Sequence, residues 1–333
     1  MATEMAAQPQ VAAGLIARRS RIMEALTAVL PERPVGLTLV ARGTSMNAAV
    51  YGRYVLELAA RRPVAVVAPS IVTVYGAEVD YRGWVAVATS QSGRTPEIIT
   101  LISRLRRQGA VAVGITNDPY SPLAEAVDVV MDLGAGEERA VPATKTFTAT
   151  AIAFALLSEL WGPALSMTAW QTLPTAIRSV VDDLGPAEAA TDLIERAGEI
   201  LCIGRGLAFP MALETALKVR ETAGANAAAY SSADVRHGPL AAADHQDVAL
   251  LFATDGAAGL NTLQLQDVLH ARGVRQLVIG EVEGAGLWTP AGLPEPLAVI
   301  PMAVRGQQLA LLLAERRGLD PDRPHGLSKV TMT

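Results

Sequence analysis

Residues 85–118 read VAVATSQSGRTPEIITLISRLRRQGAVAVGITND. An apolar strand opens the stretch, a polar loop bearing Gly93 follows, a helix runs on from Pro96, and a second apolar strand closes it. Neither strand alternates apolar with polar residues, as a strand with one wet face would. Continuously apolar strands separated by helices indicate a parallel sheet covered on both faces. The cycle extends outward in both directions. Upstream, LTLVARGTSMNAAVYGRYVLELAARR (37–62) is strand, tight Gly43 turn and helix, and VAVVAP (64–69) is a short strand. Downstream come a short helix (PLAEAV), a strand (VDVVMDL) and a long apolar helix, TKTFTATAIAFALLSELWG (144–162). The class is α/β, with a doubly wound parallel sheet.

The cycle then recurs. EILCIGRGLAFPMALETALKVRE repeats the strand–Arg-Gly–helix unit, with Ala41-Arg42-Gly43 answering Gly204-Arg205-Gly206 at an offset of 204 − 41 = 163. VALLFATDGAAG answers VAVATSQSGRTP at the same offset, 248 − 85 = 163. Two matches at one spacing point to a tandem duplication. The expected organisation is a helical lead-in (1–24, interrupted near Pro9), a first domain (25–165), a linking helix (166–184), a second domain (185–318) and a polar, Pro-rich tail (319–333).

Composition narrows the class of function. Half of the 333 residues are apolar, 18% are charged, and the net charge is −5, which suits a folded domain rather than a disordered chain. No basic tail or Lys/Arg block offers a footprint for nucleic acid, and the basic turn RLRRQ (104–108) reads as solvated. No apolar run is expected to span a bilayer and the N-terminus lacks a signal-peptide core, so the expected location is the cytoplasm. The single cysteine, Cys202, lies in the apolar run ILCIG and reads as a buried strand residue. One cysteine excludes an internal disulfide and a cysteine-built zinc site. His245, His270 and His325 show no ligand spacing with His237, so no metal is expected. GRGLAF (204–209) lacks the third glycine of a dinucleotide fingerprint and the acidic residue that should follow, so no nicotinamide cofactor is expected either.

Two kinds of chemistry-bearing residue stand out. In the second repeat, LETALKVRETAGANAAAYSSADVRHGPL places Glu214, Lys218 and Glu221 at i, i+4 and i+7 on one helix face. A turn-rich segment then delivers His237. A solvated helix face with an ordinary Glu-Lys pair is the plain alternative. In the first repeat, the loops after strands carry Thr44 and Ser45, then Ser90, Gln91, Ser92 and Thr95. Ligands bind beyond the carboxyl ends of strands in such sheets. Hydroxyls beside the free N–H groups of a helix N-terminus can cradle a phosphate without a lysine. Ordinary helix capping by serines is the plain alternative here. The matching loop of the second repeat reads Ala253-Thr254-Asp255-Gly256, and its aspartate would repel a phosphate. At the positions of Glu214, Lys218 and Glu221 the first repeat has Tyr51, Val55 and Leu58. The halves therefore look divided, one holding a phosphate and the other supplying acid–base groups.

GTS (43–45), SQSGRT (90–95), ATKTFT (143–148), LETALKVRE (213–221), YSSADVRHGPL (230–240) and LSKVT (327–331) occur in that order. Together they resemble the tandem sugar-isomerase (SIS) domain proteins, in particular the SIS-type glucosamine-6-phosphate deaminases and the isomerase half of glucosamine-6-phosphate synthase. The resemblance implies two flavodoxin-like domains and a hexose or hexosamine 6-phosphate as ligand. It implies phosphate contacts from Ser45, Ser90, Gln91, Ser92 and Thr95, with Val141 and Ala143 lining the sugar pocket. Glu221 would move a proton between C1 and C2, a task suited to a partly buried carboxylate. His237 would open the pyranose ring, reaching the site from the neighbouring subunit of a homodimer. Lys329 would approach the carbonyl carbon, forming a Schiff base in synthase relatives. Glu214 and Lys218 would position hydroxyls and tune Glu221.

Departures from the pattern refine the expectation. Ala143 stands where the synthase has a serine, Arg94 replaces an acidic residue and Asp234 a glutamate, while YSSAD resembles the deaminase and deglycase branches. The chain opens MATEM with no glutaminase domain, so glutamine-dependent amination is not expected of it. The expected reaction is conversion of glucosamine 6-phosphate and water to fructose 6-phosphate and ammonia. The alternatives are a fructosamine-6-phosphate deglycase, an aldose–ketose phosphosugar isomerase, and a non-catalytic phosphosugar sensor. The sensor is disfavoured because some 30 residues of lead-in leave no room for a helix-turn-helix.

Overall fold

The computed structural model of the chain describes residues 1–329. The LSKVT motif (327–331) therefore lies partly outside the described residues. Two compact units emerge. One comprises Gln10–Glu138 and Lys145–Met167; the other comprises Met1–Pro9, Arg139–Thr144 and Thr168–Lys329. The second unit thus draws in two short segments that lie in the lead-in and the first repeat by sequence.

In the first unit, strands β1 (Leu37–Val40), β2 (Val64–Val66), β3 (Val85–Thr89), β4 (Val111–Thr116) and β5 (Val129–Asp132) form an all-parallel sheet in the order β2-β1-β3-β4-β5. Every residue of β1 and β3 is buried, the outcome expected of a sheet covered on both faces. Helices α1 (Gly43–Ala60), α2 (Pro96–Arg107) and α3 (Lys145–Ser158) flank it. Ile98, Leu101, Ile102 and Leu105 lie at 3–4-residue spacing on α2 and pack on Val40, Ala86, Ala88 and Ala112 of the sheet. Burying each such side chain contributes about 1.5–3 kcal/mol relative to leaving it exposed. Pro96 occupies the first turn of α2, where its missing N–H costs nothing, and Arg104, Arg106 and Arg107 fall in the last turn, where the helix dipole favours cations. That basic turn is less solvated than expected: Arg104 donates to the Val72 carbonyl at 2.8 Å and Arg106 pairs with Asp128 at 2.6 Å.

The second unit follows helices α4 (Met167–Val181) and α5 (Gly185–Ile194). Strands β6 (Ile200–Gly204), β7 (Ala227–Ser231), β8 (Val248–Ala253), β9 (Arg275–Gly280) and β10 (Leu287–Trp288) form a parallel sheet ordered β10-β9-β8-β6-β7. Read from its other edge this is the order of the first sheet. Leu37, Val64 and Val85 open β1, β2 and β3; 163 positions on, Ile200, Ala227 and Val248 open β6, β7 and β8. Tandem flavodoxin-like topology is thereby established. The segment before His237, read as turn-rich, contains strand β7. Its AAA run has poor strand propensity and is held by pairing with β6.

Cys202 is buried in β6, and desolvation pushes its thiol up to about 12, so it is an inert packing residue. Helix α6 (Phe209–Ala223) packs on α7 (Ile300–Arg316) and on β6 and β7. The helical run Glu295–Arg316 is long and apolar enough to cross a membrane by length and composition, contrary to the sequence reading. Its most apolar window is 94% buried inside the protein, which makes it a core helix.

Candidate functional site

The loops after β1 and β3 flank the point where the strand order of the first sheet reverses, the usual ligand position in such sheets. Thr44 and Ser45 sit in the first turn of α1, half-buried, and neither α1 nor α2 receives a side-chain cap at its N-terminus. Helix starts of this kind are where backbone N–H groups and the helix dipole favour an anion.

The loop between β3 and α2 is held rigidly. Ser90 is buried, its amide donates to the Ile115 carbonyl at 3.1 Å, and its hydroxyl lies 3.4 Å from that of Thr95. The Arg94 amide donates to Ser92 Oγ at 3.2 Å. Asn117 N–H donates to the Gln91 carbonyl at 3.1 Å, and Gly93 N–H to that of Ser90 at 3.1 Å. Gly93 has φ +62°, and a Cβ there would collide with Ser121, so only glycine fits. Arg94 turns aside to Asp118 at 2.9 Å, and Arg42 pairs with Glu97 at 2.7 Å. That pairing holds the Arg42 guanidinium above its ordinary pKa and offsets the one carboxylate in the first turn of α2.

In the second unit, helix α6 carries the expected acid–base residues, but not on a solvated face. Glu214 and Lys218 each keep only 1% of their side-chain surface exposed, whereas Glu221 keeps 21%. Lys218 Nζ lies 3.6 Å from Glu214 Oε1 and donates to Glu221 Oε2. Burying a lysine between two carboxylates costs desolvation energy that packing alone would not demand. Such a cluster, with one member reaching solvent, is what an acid–base site requires. Gly224 ends the helix in the left-handed region, φ +59°. His237 closes the 3₁₀ turn Asp234–His237 and is exposed.

Lys329 reaches the segment that carries Val141 and Ala143. Lys329 Nζ donates to the Ala140 carbonyl at 2.7 Å, and Val141 N–H donates to the Asp322 carbonyl at 2.9 Å. The tail and the Arg139–Thr144 segment are therefore bonded to each other within the second unit. Sequence reasoning passed over Glu4, whose carboxylate accepts the amides of Arg139 and Ala140. A lone acid in the apolar stretch MATEMAAQ was its one available signal.

At the loop after β8, Thr254 donates to Glu295 at 3.2 Å. Burial, then Asp255, with Glu295 a smaller contribution, raise the pKa of the Glu281 carboxyl above its ordinary value. Carboxylates thus gather at the loop that corresponds to the hydroxyl-bearing loop of the first unit. Among the described residues no group of three or more His, Cys, Asp or Glu side chains could hold a metal ion.

A family model described as SIS domain matches residues 36–160 and 193–287. The glutamine–fructose-6-phosphate aminotransferase (isomerizing) of Gloeobacter violaceus is 32% identical over 314 residues, covering 87% of this chain and 51% of its own length. That of Aeropyrum pernix is 33% identical over 319 residues, covering 88% and 50%. The chain spans about half the length of the curated relatives it matches. Among solved structures, one from Silicibacter pomeroyi DSS-3, provisionally named a phosphosugar isomerase, superposes with a TM-score of 0.84 at 28% identity, covering 97% of this chain and 99% of that one. The C-terminal domain of glucosamine-fructose-6-phosphate aminotransferase from Francisella tularensis gives 0.80 at 25% identity, with 96% of each chain covered. Glucosamine-6-phosphate deaminase from Thermotoga maritima gives 0.78 at 20% identity, covering 98% and 100%, a likeness of fold.

Proposed function

From the premise that the chain belongs to the SIS domain family, we propose that it is an isomerising deaminase of an amino-sugar 6-phosphate, glucosamine 6-phosphate first. The observation that carries this reading is the buried Glu214–Lys218–Glu221 cluster with only Glu221 reaching solvent. A phosphosugar ligand is supported by the uncapped starts of α1 and α2 beside Ser45, Ser90, Gln91, Ser92 and Thr95, and by the names of the relatives.

In the proposed reaction His237 opens the ring, from the neighbouring subunit of a homodimer. Glu221 takes the proton from C2 of the open aldose and returns it to C1. The electron pair released at C2 forms the C1=C2 bond of the enolamine as O1 gains a proton. When C1 takes up its proton, the nitrogen lone pair forms the C2=N bond of a ketimine and the nitrogen gives up one proton. Water adds there and ammonia departs, so glucosamine 6-phosphate and water become fructose 6-phosphate and ammonia. Lys329 assists at the carbon that loses nitrogen. Lys218 holds the Glu221 carboxylate in place, and Glu214 holds Lys218.

The test is release of ammonia and fructose 6-phosphate from glucosamine 6-phosphate without glutamine. Equal release of both, lowered about 10²- to 10⁴-fold in Glu221→Gln, supports the reading. If neither product forms while the sugar phosphate still raises Tm, the deaminase reading fails. Fructosamine 6-phosphates and galactosamine 6-phosphate are then the substrates to offer. Binding that survives in Glu221→Gln with no turnover of any substrate by the parent protein would indicate a sensor.

A further inference from the structure

The segment Arg139–Thr144 is a short loop without regular structure, yet Arg139, Ala140, Val141 and Thr144 are each held by hydrogen bonds. One oxygen of Glu4 accepts the amides of both Arg139 and Ala140, the latter at 3.1 Å. The other oxygen makes no hydrogen bond among the described residues and lies 3.6 Å from the Met1 amino group. Val141 N–H reaches the Asp322 carbonyl. The Thr144 carbonyl accepts from Gln307 Nε2 at 3.4 Å, and Gln307 in turn accepts from Gln8 Nε2 at 2.9 Å. Glu4 and Gln8 are both buried.

This arrangement spends a buried carboxylate on two backbone amides. Such a bond fixes a peptide more firmly than a neutral acceptor would, because charge-assisted hydrogen bonds are shorter and roughly twice as strong. The residue so fixed, Ala140, offers its carbonyl to Lys329 Nζ at 2.7 Å. Val141 and Ala143, on the same loop, are half-buried.

We propose that Glu4 is a positioning residue: by clamping the Arg139 and Ala140 amides it sets the Ala140 carbonyl and, through it, the ammonium of Lys329. The proposal rests on the reading above that Lys329 acts at the reacting carbon. Glu4 itself touches no reacting atom in this scheme. Its effect should appear in turnover more than in binding, because among the described residues none of the hydroxyls proposed to hold the phosphate is bonded to this segment.

The experiment compares Glu4→Ala, Glu4→Gln, Lys329→Met and the Glu4→Ala/Lys329→Met double variant in the full chain, with glucosamine 6-phosphate as substrate. Glu4→Ala should lower kcat about tenfold to a hundredfold, the scale of an ångström's misplacement at a reacting centre, and leave KM within threefold or so. Glu4→Gln keeps an acceptor oxygen for the amides and should recover most of kcat. In the Lys329→Met background Glu4→Ala should cost nothing further, as for residues that act as a unit. Unchanged kcat in Glu4→Ala, or full additivity with Lys329→Met, overturns the proposal.

Hydrogen exchange over residues 136–144 and 319–329 is followed in parallel. If the parent protein turns over no substrate, the deaminase reading is what has failed, and exchange alone decides on Glu4. Faster exchange of both segments in Glu4→Ala supports the clamp, and an unaltered tail refutes it.

Discussion

Lys218 is held by two carboxylates, and its removal would take away the cation 3.6 Å from Glu214, a side chain with 1% exposure. Lys218→Met should therefore destabilise the protein by about 3–5 kcal/mol, the cost of breaking a buried ion pair from one side. Urea unfolding reads this directly. The companion change Glu214→Gln in the same chain should recover a large part of that loss without restoring turnover, which separates stability from catalysis. In the first unit, Gly93→Ala forces a left-handed φ of +62° on a residue whose Cβ meets Ser121. It should weaken binding of a sugar phosphate about tenfold or more and lower Tm as well, since some 1–3 kcal/mol of strain enters the folded loop; calorimetric titration and thermal scans measure the two effects. The i, i+4, i+7 spacing of Glu214, Lys218 and Glu221 was legible in the chain because helix geometry fixes which side chains share a face. Their burial was not. What covers a helix face is set by elements remote in sequence, such as α7 and β6, and no local pattern encodes it.

At the scale of elements, α6 and α7 approach closely at Gly306, where a Cβ would collide with the side chain of Thr215. Thr215 is buried and bonded to the Met211 carbonyl at 2.9 Å, so it has little room to yield. Gly306→Ala should cost about 1–3 kcal/mol through overpacking, seen as a lower Tm. Thr215→Ala in the same chain should return part of it. The first unit uses the same device between α1 and α3, with Gly52 against Phe154. Neither glycine can be read from sequence as a helix contact, since glycine inside a helix carries no signal of what lies opposite. Strand β10, two residues long, offers no pattern either, and β7 is hidden by its alanines. Strands β1, β3, β4, β6 and β8 were plain because both faces are buried and every position is apolar or nearly so.

At the scale of the molecule, the two sheets repeat one topology and diverge at their loops. The first keeps uncapped helix starts and hydroxyls; the second gathers Thr254, Asp255, Glu281 and Glu295. Burial and neighbouring acids raise the folded-state pKa of Glu281. A folded state that binds the proton more tightly than the unfolded one loses stability as pH rises from the ordinary carboxylate pKa through the raised one. Glu281→Gln should therefore raise Tm at pH 7 to 8, and the gain should shrink as pH falls toward 4. Thermal scans across that range would contradict this if the difference grew in acid.

The membership of Met1–Pro9 and Arg139–Thr144 in the second unit has a temporal meaning during synthesis. Gln8 bonds Gln307 across 299 positions, and Glu4 meets Arg139 across 135. At about 5–20 residues per second on the ribosome, the first nine residues emerge roughly 15–60 s before Gln307 exists. During that interval these residues lack the partner at Gln307 that they hold in the folded chain. A gene fragment starting near residue 168 would never receive them. Moving residues 1–9 by circular permutation to follow the last helix would shorten the wait, and refolding yield during translation is where the difference should appear.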